Sequence, residues 1–294
     1  NGSWTIEGNL DVNGTSGDPV YFTSIKDDSV GGDTNGDGSA SEPAMEDWSS
    51  IRVSGGSATI DHAVLRYGGY YYSGFGSTIR RGVVHVEGGG TAAVTNSEIT
   101  DNLYGGVVEG VGSSLVVEGS VIAGSRNGFY VEEGSLNVNN STVENVSSDG
   151  ISATGSSNSV SVTNSTFMNN QTVVDSRGGT LVLEDNLFDS NTLDYGGSND
   201  IDPIYIQYPV AAEPLITGNT FTGNGFDYIN CDLIHINVAS GGIDPPFETI
   251  HSIICTTNES EHILIEGTLT ENSRISMPGG ELPYVYKSLS VGPA

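Results

Sequence analysis

Asp33, Asn35 and Asp37, followed by Gly38, spell D-x-N-x-D-G, the pattern in this chain with the most specific chemistry. Side-chain oxygens at alternating positions, with a glycine permitting the sharp turn, suit a hard cation such as Ca2+, which takes about six to eight oxygen ligands at roughly 2.3 to 2.6 Å. A complete loop of this kind closes on a bidentate glutamate at about the twelfth position, but here that position is Ala44. Closing ligands must come from acids nearby in sequence, of which Asp27, Asp28, Glu46 and Asp47 are the candidates. The expected set is Asp28, Asp33, Asn35, Asp37 and Asp47 around one calcium ion, the alternative being a solvated turn without a ligand.

The charge balance agrees with a cationic partner. Nine Lys and Arg stand against 37 Asp and Glu, a net charge of −28. Nucleic acid and anionic membrane surfaces both require basic patches, so neither is expected as a partner. No run of 18 apolar residues offers a membrane span, and no membrane insertion is expected.

These residues must be positioned by elements that repeat. With Ile99, Ile122, Val143, Phe167 and Phe188 as anchors, Val94, Val117, Val138, Val162 and Leu183 stand five residues earlier without a gap. Seven residues before the anchors come Ala92, Leu115, Leu136, Val160 and Leu181. Apolar residues at every second position give a strand with one face inward. Anchor spacings of 23, 21, 24 and 21 residues place the chain among repeat architectures and predict a stack of β-coils. Leu65, with Ile60 and Ala58 before it, extends the pattern upstream, and Ile216 and Phe221 extend it downstream.

Three residues past the anchors stand Asn102, Ser125, Val146, Asn170, Asn191 and Asn224. Asparagine offers both donor and acceptor, so stacked copies are expected to bond along the solenoid. One body over 1–294 is expected: N-terminal coils at 1–25, an acidic calcium-type loop at 26–48, core coils at 51–225 and irregular coils at 226–294. Excursions are expected at 67–75, 192–213 and 241–247, the first packing its tyrosines over the coil edge, the alternative being a stacking platform for sugar rings or a neighbouring subunit. Cys231 and Cys255 lie 24 residues apart, about one coil. That brings them side by side on neighbouring rungs, roughly 5 Å apart and within disulfide range. A disulfide would suit an oxidising compartment; two buried thiols are the alternative.

Both chain ends read as short alternating strands, which predicts head-to-tail stacking on copies of the chain or on adjoining repeats. Eight N-x-S/T sequons add glycans to the candidate partners.

The run from Asp18-Pro19-Val20-Tyr21-Phe22 through DDSVGGDTNGDG to Glu46-Asp47-Trp48, then Ala58 to Gly69, resembles right-handed parallel β-helix modules of large secreted and cell-surface proteins of bacteria and archaea. The resemblance implies an all-β fold, a right-handed single-stranded parallel β-helix (solenoid) with loop excursions, and an extracellular or cell-surface location. It says little of biochemical role, since the fold hosts lyases, hydrolases, adhesins and fibres.

A lyase of this fold needs Arg or Lys beside clustered acids. Arg52, Arg66, Arg80, Arg81, Arg126 and Arg177 are available, but no acids are seen to recur at matching coil positions. The N-T-D, G-H-G and R-x-K motifs of related hydrolases are absent, and Asp61-His62 reads as a turn pair. The net charge is also expected to repel polyuronates. The expectation is therefore a non-enzymatic structural or adhesive module, calcium-stabilised; the alternative is a carbohydrate-binding or polysaccharide-degrading β-helix.

Overall fold

The structure is a computed structural model that describes residues 2–191, 204–208 and 214–224, together with the backbone of five strands, Ile234–Val238, Ile250–His251, Ile254–Thr256, Ile263–Leu269 and Tyr284–Val291. Each coil contributes one strand to each of three parallel sheets, of eleven, nine and nine strands. One coil runs Tyr104–Glu109, Ser114–Glu118 and Val121–Ala123, and the next repeats it at Asn127–Glu132, Ser135–Asn139 and Thr142–Glu144. The eleven-stranded sheet is called the first sheet below, the other two the second and third in chain order.

The predicted offsets are the observed register. In the second sheet Val94, Val117, Val138, Val162, Leu183 and Ile216 lie opposite one another, and in the third Ile99, Ile122, Val143, Phe167, Phe188 and Phe221 do. All are fully or almost fully buried. Phe167, Phe188 and Phe221 stack with ring centroids 5.6 and 4.7 Å apart, and each contributes about 1.5–3 kcal/mol through burial. The first sheet completes the core with Val86, Val108, Val131 and Ala153, register partners on four successive coils. There Gly106 is required, because a Cβ would stand 2.7 Å from the Phe129 ring, which fills the space above it.

Between the second and third sheets the chain turns through one left-handed residue per coil, among them Asn96, Asn140, Asn164 and Asp185 with φ of 48, 48, 50 and 54°. Short polar side chains tolerate that conformation. His62 occupies the same place at φ 51°, its Nδ1 2.8 Å from Asp61, which also accepts bonds from Thr95 and Asn96. Asp61-His62 is thus a turn pair, as expected.

The asparagine turn after the anchors is also as expected. Asn170 Oδ1 accepts the Val146 amide at 3.0 Å, Asn191 Oδ1 accepts the Asn170 amide, and Asn224 Oδ1 accepts the Asn191 amide, while each Nδ2 donates to the carbonyl of an anchor. A second ladder, which the sequence reading missed, stands two residues before the anchors: Ser97, Ser120, Ser141, Ser165, Asn186 and Asn219, each accepting the amide of the preceding coil. Its signal is plain in the sequence as an unbroken column of Ser and Asn.

Three expectations need adjustment. Residues 70–81 are more than an edge covering: Tyr70–Gly74 and Ser77–Arg81 form an antiparallel hairpin that leaves Phe75 fully exposed at its tip. The reason is local, since Phe75 and Gly76 both have positive φ, 52 and 77°, as a two-residue hairpin loop demands. The stretch 192–213 is not all excursion, because Ile204–Tyr208 pairs with Val174–Arg177 in the first sheet. Cys231 and the excursion at 241–247 lie outside the described residues, so the expected disulfide has only one described member; Cys255 takes the register position after Phe221.

Candidate functional site

The acidic loop leaves the solenoid after Val20–Phe22 and returns at Ser50–Ser54. Asp33 is fixed by its own turn, Oδ1 accepting the Gly36 and Asp37 amides at 2.8 and 3.1 Å and Oδ2 the Gly38 amide at 2.8 Å. Asn35 Nδ2 donates to Asp37 at 3.0 Å. Asp28 has one shielded oxygen, Oδ1, with no hydrogen-bond partner. Its pKa is raised by loss of solvent and then by the negative charges of Asp33, Asp37 and Asp27. Asp47 stands apart: it accepts from Ser24, Lys26 and Ala44 at 2.6, 2.7 and 3.0 Å. Burial alone would raise its pKa, but these donors more than offset that and hold it down. Of the neighbouring candidates, Asp27 is paired with Arg66 at 2.6 Å and Glu46 accepts the Tyr71 amide at 3.2 Å. Asp28 thus feels the charges of Asp33 and Asp37, whereas Asp47 is held by Lys26.

The denser chemistry lies on the outward face of the first sheet. Arg52, His85, Val107, Tyr130, Ser152, Asp175 and Tyr205 form one row across seven coils. Two residues further along their strands, Glu109 pairs with Glu132, and Glu87 precedes them on the neighbouring coil, one residue past the Val86–Val108 pair. Acids therefore do recur at matching coil positions, contrary to the sequence reading.

At one end of this row His85 is wholly buried, with Nε2 3.1 Å from Glu87 and 3.6 Å from Glu109. Desolvation, then the Arg81 charge, lowers its pKa to about 4 against the opposing pull of Glu87. The imidazole is neutral at pH 7, and the two carboxylates facing Nε2 place its proton there, leaving Nδ1 buried without a partner. Arg52 and Arg81 both pair with Glu87. Burial, then Glu132 and Glu87 as like charges, raises the Glu109 pKa. His85, Glu87 and Glu109 have ligand atoms close enough together to hold a metal ion, though two arginines already compete for Glu87.

Further along, the hairpin and the first sheet enclose an open pocket of about 230 Å3. Tyr71, Tyr104 and Tyr130 form its aromatic wall, Arg80 and Arg126 supply positive charge, and Asp149 is its acid. The Arg80 guanidinium lies 4.3 Å from the Tyr130 ring centroid and 6.0 Å from that of Tyr71. The Tyr130 hydroxyl is within 3.2 Å of both Glu132 and Thr154. Burial and then the neighbouring Asp175 charge raise Asp149 to about 6, against the lowering influence of Arg177 and Thr172. Asp175 itself accepts from Arg177 at 2.8 Å. Arg80, Arg126 and Arg177 entered the sequence reading only as candidates for a lyase it set aside, and Tyr71 only within the excursion at 67–75; their convergence with Tyr104, Tyr130 and Asp149 was not legible.

Among curated proteins, none matches this chain in sequence. Among solved structures, the catalytic domain of a GH87 alpha-1,3-glucanase in complex with tetrasaccharides is similar over 99% of this chain, at 12% identity and a TM-score of 0.31. The match spans 60% of that domain. The expectation that the chain is not an enzyme is corrected here: it rested on acids not recurring at matching coil positions, and Glu87, Glu109 and Glu132 occupy such positions on one face. The family model described as right handed beta helix region matches residues 49–243, and the chain belongs to that family.

Proposed function

We propose that this β-helix acts on a polysaccharide through the tyrosine-lined pocket of the first sheet, with Asp149 as its proton-bearing acid. The observation that supports the reading is the place of Asp149, a half-buried carboxyl with a pKa of about 6 in an open pocket walled by Tyr71, Tyr104 and Tyr130. Tyrosine rings offer apolar faces to sugar rings and keep their hydroxyls for hydrogen bonds. A carboxyl that still holds its proton near pH 6 suits general-acid protonation of a glycosidic oxygen, and a second carboxyl is the usual companion. Asp175, held by Arg177, is the neighbour in that role. A strongly perturbed acid in a cleft is the kind of group that marks functional sites. An extracellular or cell-surface setting goes with this reading, since that is where long glycans are met.

The test is release of reducing ends from a panel of neutral and acidic polysaccharides, with retardation in polysaccharide-containing gels read in parallel. The native chain should cleave at least one polymer, and Asp149→Asn should lose about a hundredfold or more in rate while still being retarded. Neither cleavage nor retardation across the panel would remove the reading.

The acidic loop is read separately as a calcium site. The unpartnered Asp28 Oδ1, facing the charges of Asp33 and Asp37, supports it, because a cation would relieve that repulsion. Asp28, Asp33, Asn35 and Asp37 would hold the ion, with Asp47 left to fasten the loop base through Lys26. EDTA should lower the melting temperature and added calcium restore it; no shift would retire the site.

A further inference from the structure

We infer that the pocket takes an anionic saccharide, with a uronate carboxylate or a sulfate ester seated between Arg80 and Arg126. This deepens the polysaccharide reading and rests on it. The starting point is where the cations of a strongly acidic chain go. Of nine Lys and Arg, seven fall where side chains are described: Lys26, Arg52, Arg66, Arg80, Arg81, Arg126 and Arg177. Five of these are paired with carboxylates: Lys26 with Asp47, Arg66 with Asp27, Arg52 and Arg81 with Glu87, and Arg177 with Asp175. With 37 acids available, pairing is the default for a cation here.

Among the described residues Arg80 and Arg126 form no such pair, and both line this pocket. Chance does not readily put both exceptions in the same place. Asp149 shares the pocket, but neither arginine is among the charges that act on it, which are Asp175 and Arg177. Arg80 is instead stacked on Tyr130, with Tyr104 beside it in the pocket wall. Stacking engages the face of a guanidinium and leaves its N–H edge free for a planar or tetrahedral oxyanion. Arg126 is exposed, so its charge is available from solvent.

The net charge of −28 therefore does not decide the matter, contrary to the expectation that it repels polyuronates. At physiological salt, charges farther than about 8 Å are largely screened, so most of the 37 acids do not reach the pocket, and those beside it are Asp149, Glu132 and Asp175. Asp149 reinforces the choice: while protonated it donates a hydrogen bond to a bound oxyanion instead of repelling it.

The experiment measures binding by calorimetry, using oligogalacturonate and a sulfated heparin oligosaccharide as anionic probes and an α-1,3-gluco-oligosaccharide as the neutral probe. The proteins are the native chain, Arg126→Gln and Arg80→Lys. Arg126 is exposed and carries no side-chain bond that holds the fold, so an unchanged melting curve should accompany Arg126→Gln. At least one anionic probe should bind, weaken about tenfold in Arg126→Gln, and lose affinity as salt rises; Arg80→Lys, keeping charge without the fork, should fall between. Anionic binding that is indifferent to Arg126→Gln would overturn the assignment. Binding of the neutral probe alone would overturn the anionic inference and leave the polysaccharide reading standing. Failure of all three probes, together with no retardation in the gels, would remove both.

Discussion

Two regions of this solenoid use polar residues in opposite ways. At the turns flanking the third sheet, buried Ser and Asn form ladders in which acceptors and donors are matched coil by coil, as with Asn170, Asn191 and Asn224. On the outward face of the first sheet and the hairpin beside it, Arg52 Nε, Arg81 Nη1 and His85 Nδ1 are shielded from solvent and make no hydrogen bond. Repeating the same turn makes a ladder cheap to satisfy, since each coil supplies the donor that the next one needs. An unrepeated cluster has no such supply, and persists only where something other than stability retains it. The difference separates architecture from site more sharply than residue type does, because both regions are rich in polar groups.

Removing one rung should therefore be the most damaging single change. Asn191→Ala deprives the Asn170 amide of its acceptor, removes the donor to the Phe167 carbonyl, and breaks the side-chain bond to Asn224. Leaving two or three buried groups unpaired costs about 3–5 kcal/mol. Chemical denaturation should show a midpoint shift of that size with an unchanged slope. A loss under about 1 kcal/mol would mean that water replaces the rung, and the contrast between the two regions would fail.

What the sequence made legible follows the same division. The second and third sheets were readable to the residue because one left-handed position joins them, so the offset seen from Val117 to Ile122 and from Leu183 to Phe188 holds from Ile60 and Leu65 to Ile216 and Phe221. The first sheet was not, because the connection into it varies. Ile99 to Val108 and Ile122 to Val131 are 9 residues, Val143 to Ala153 is 10, Phe188 to Ile206 is 18 and Leu65 to Val86 is 21. Without that register, Glu87, Glu109 and Glu132 are three scattered acids. The D-x-N-x-D-G spacing, a local pattern, was legible; the split between Asp28 and Asp47 was not, since it depends on where Lys26 reaches.

A smaller change with the opposite sign sharpens the comparison from the other side. Asp149 is raised from 3.8 to about 6 in the folded chain, so folding favours its protonated form. Between those two values the native state keeps a proton that the unfolded state has released, and stability falls as pH rises through the window. Above about pH 6 the loss is complete, and it amounts to roughly 1–3 kcal/mol. Asp149→Asn keeps the shape without the charge and retains a partner for Thr172. It should therefore be more stable than the native chain at pH 7, nearly equal to it at pH 4, and flat where the native curve declines. Melting temperatures from pH 4 to 8 measure this directly. A native curve that does not fall between pH 4 and 6, or an Asn variant no more stable at pH 7, would place Asp149 with the satisfied groups of the turns. The expected result makes Asp149 a residue held at a cost to the fold, as a proton donor in a partly desolvated pocket must be.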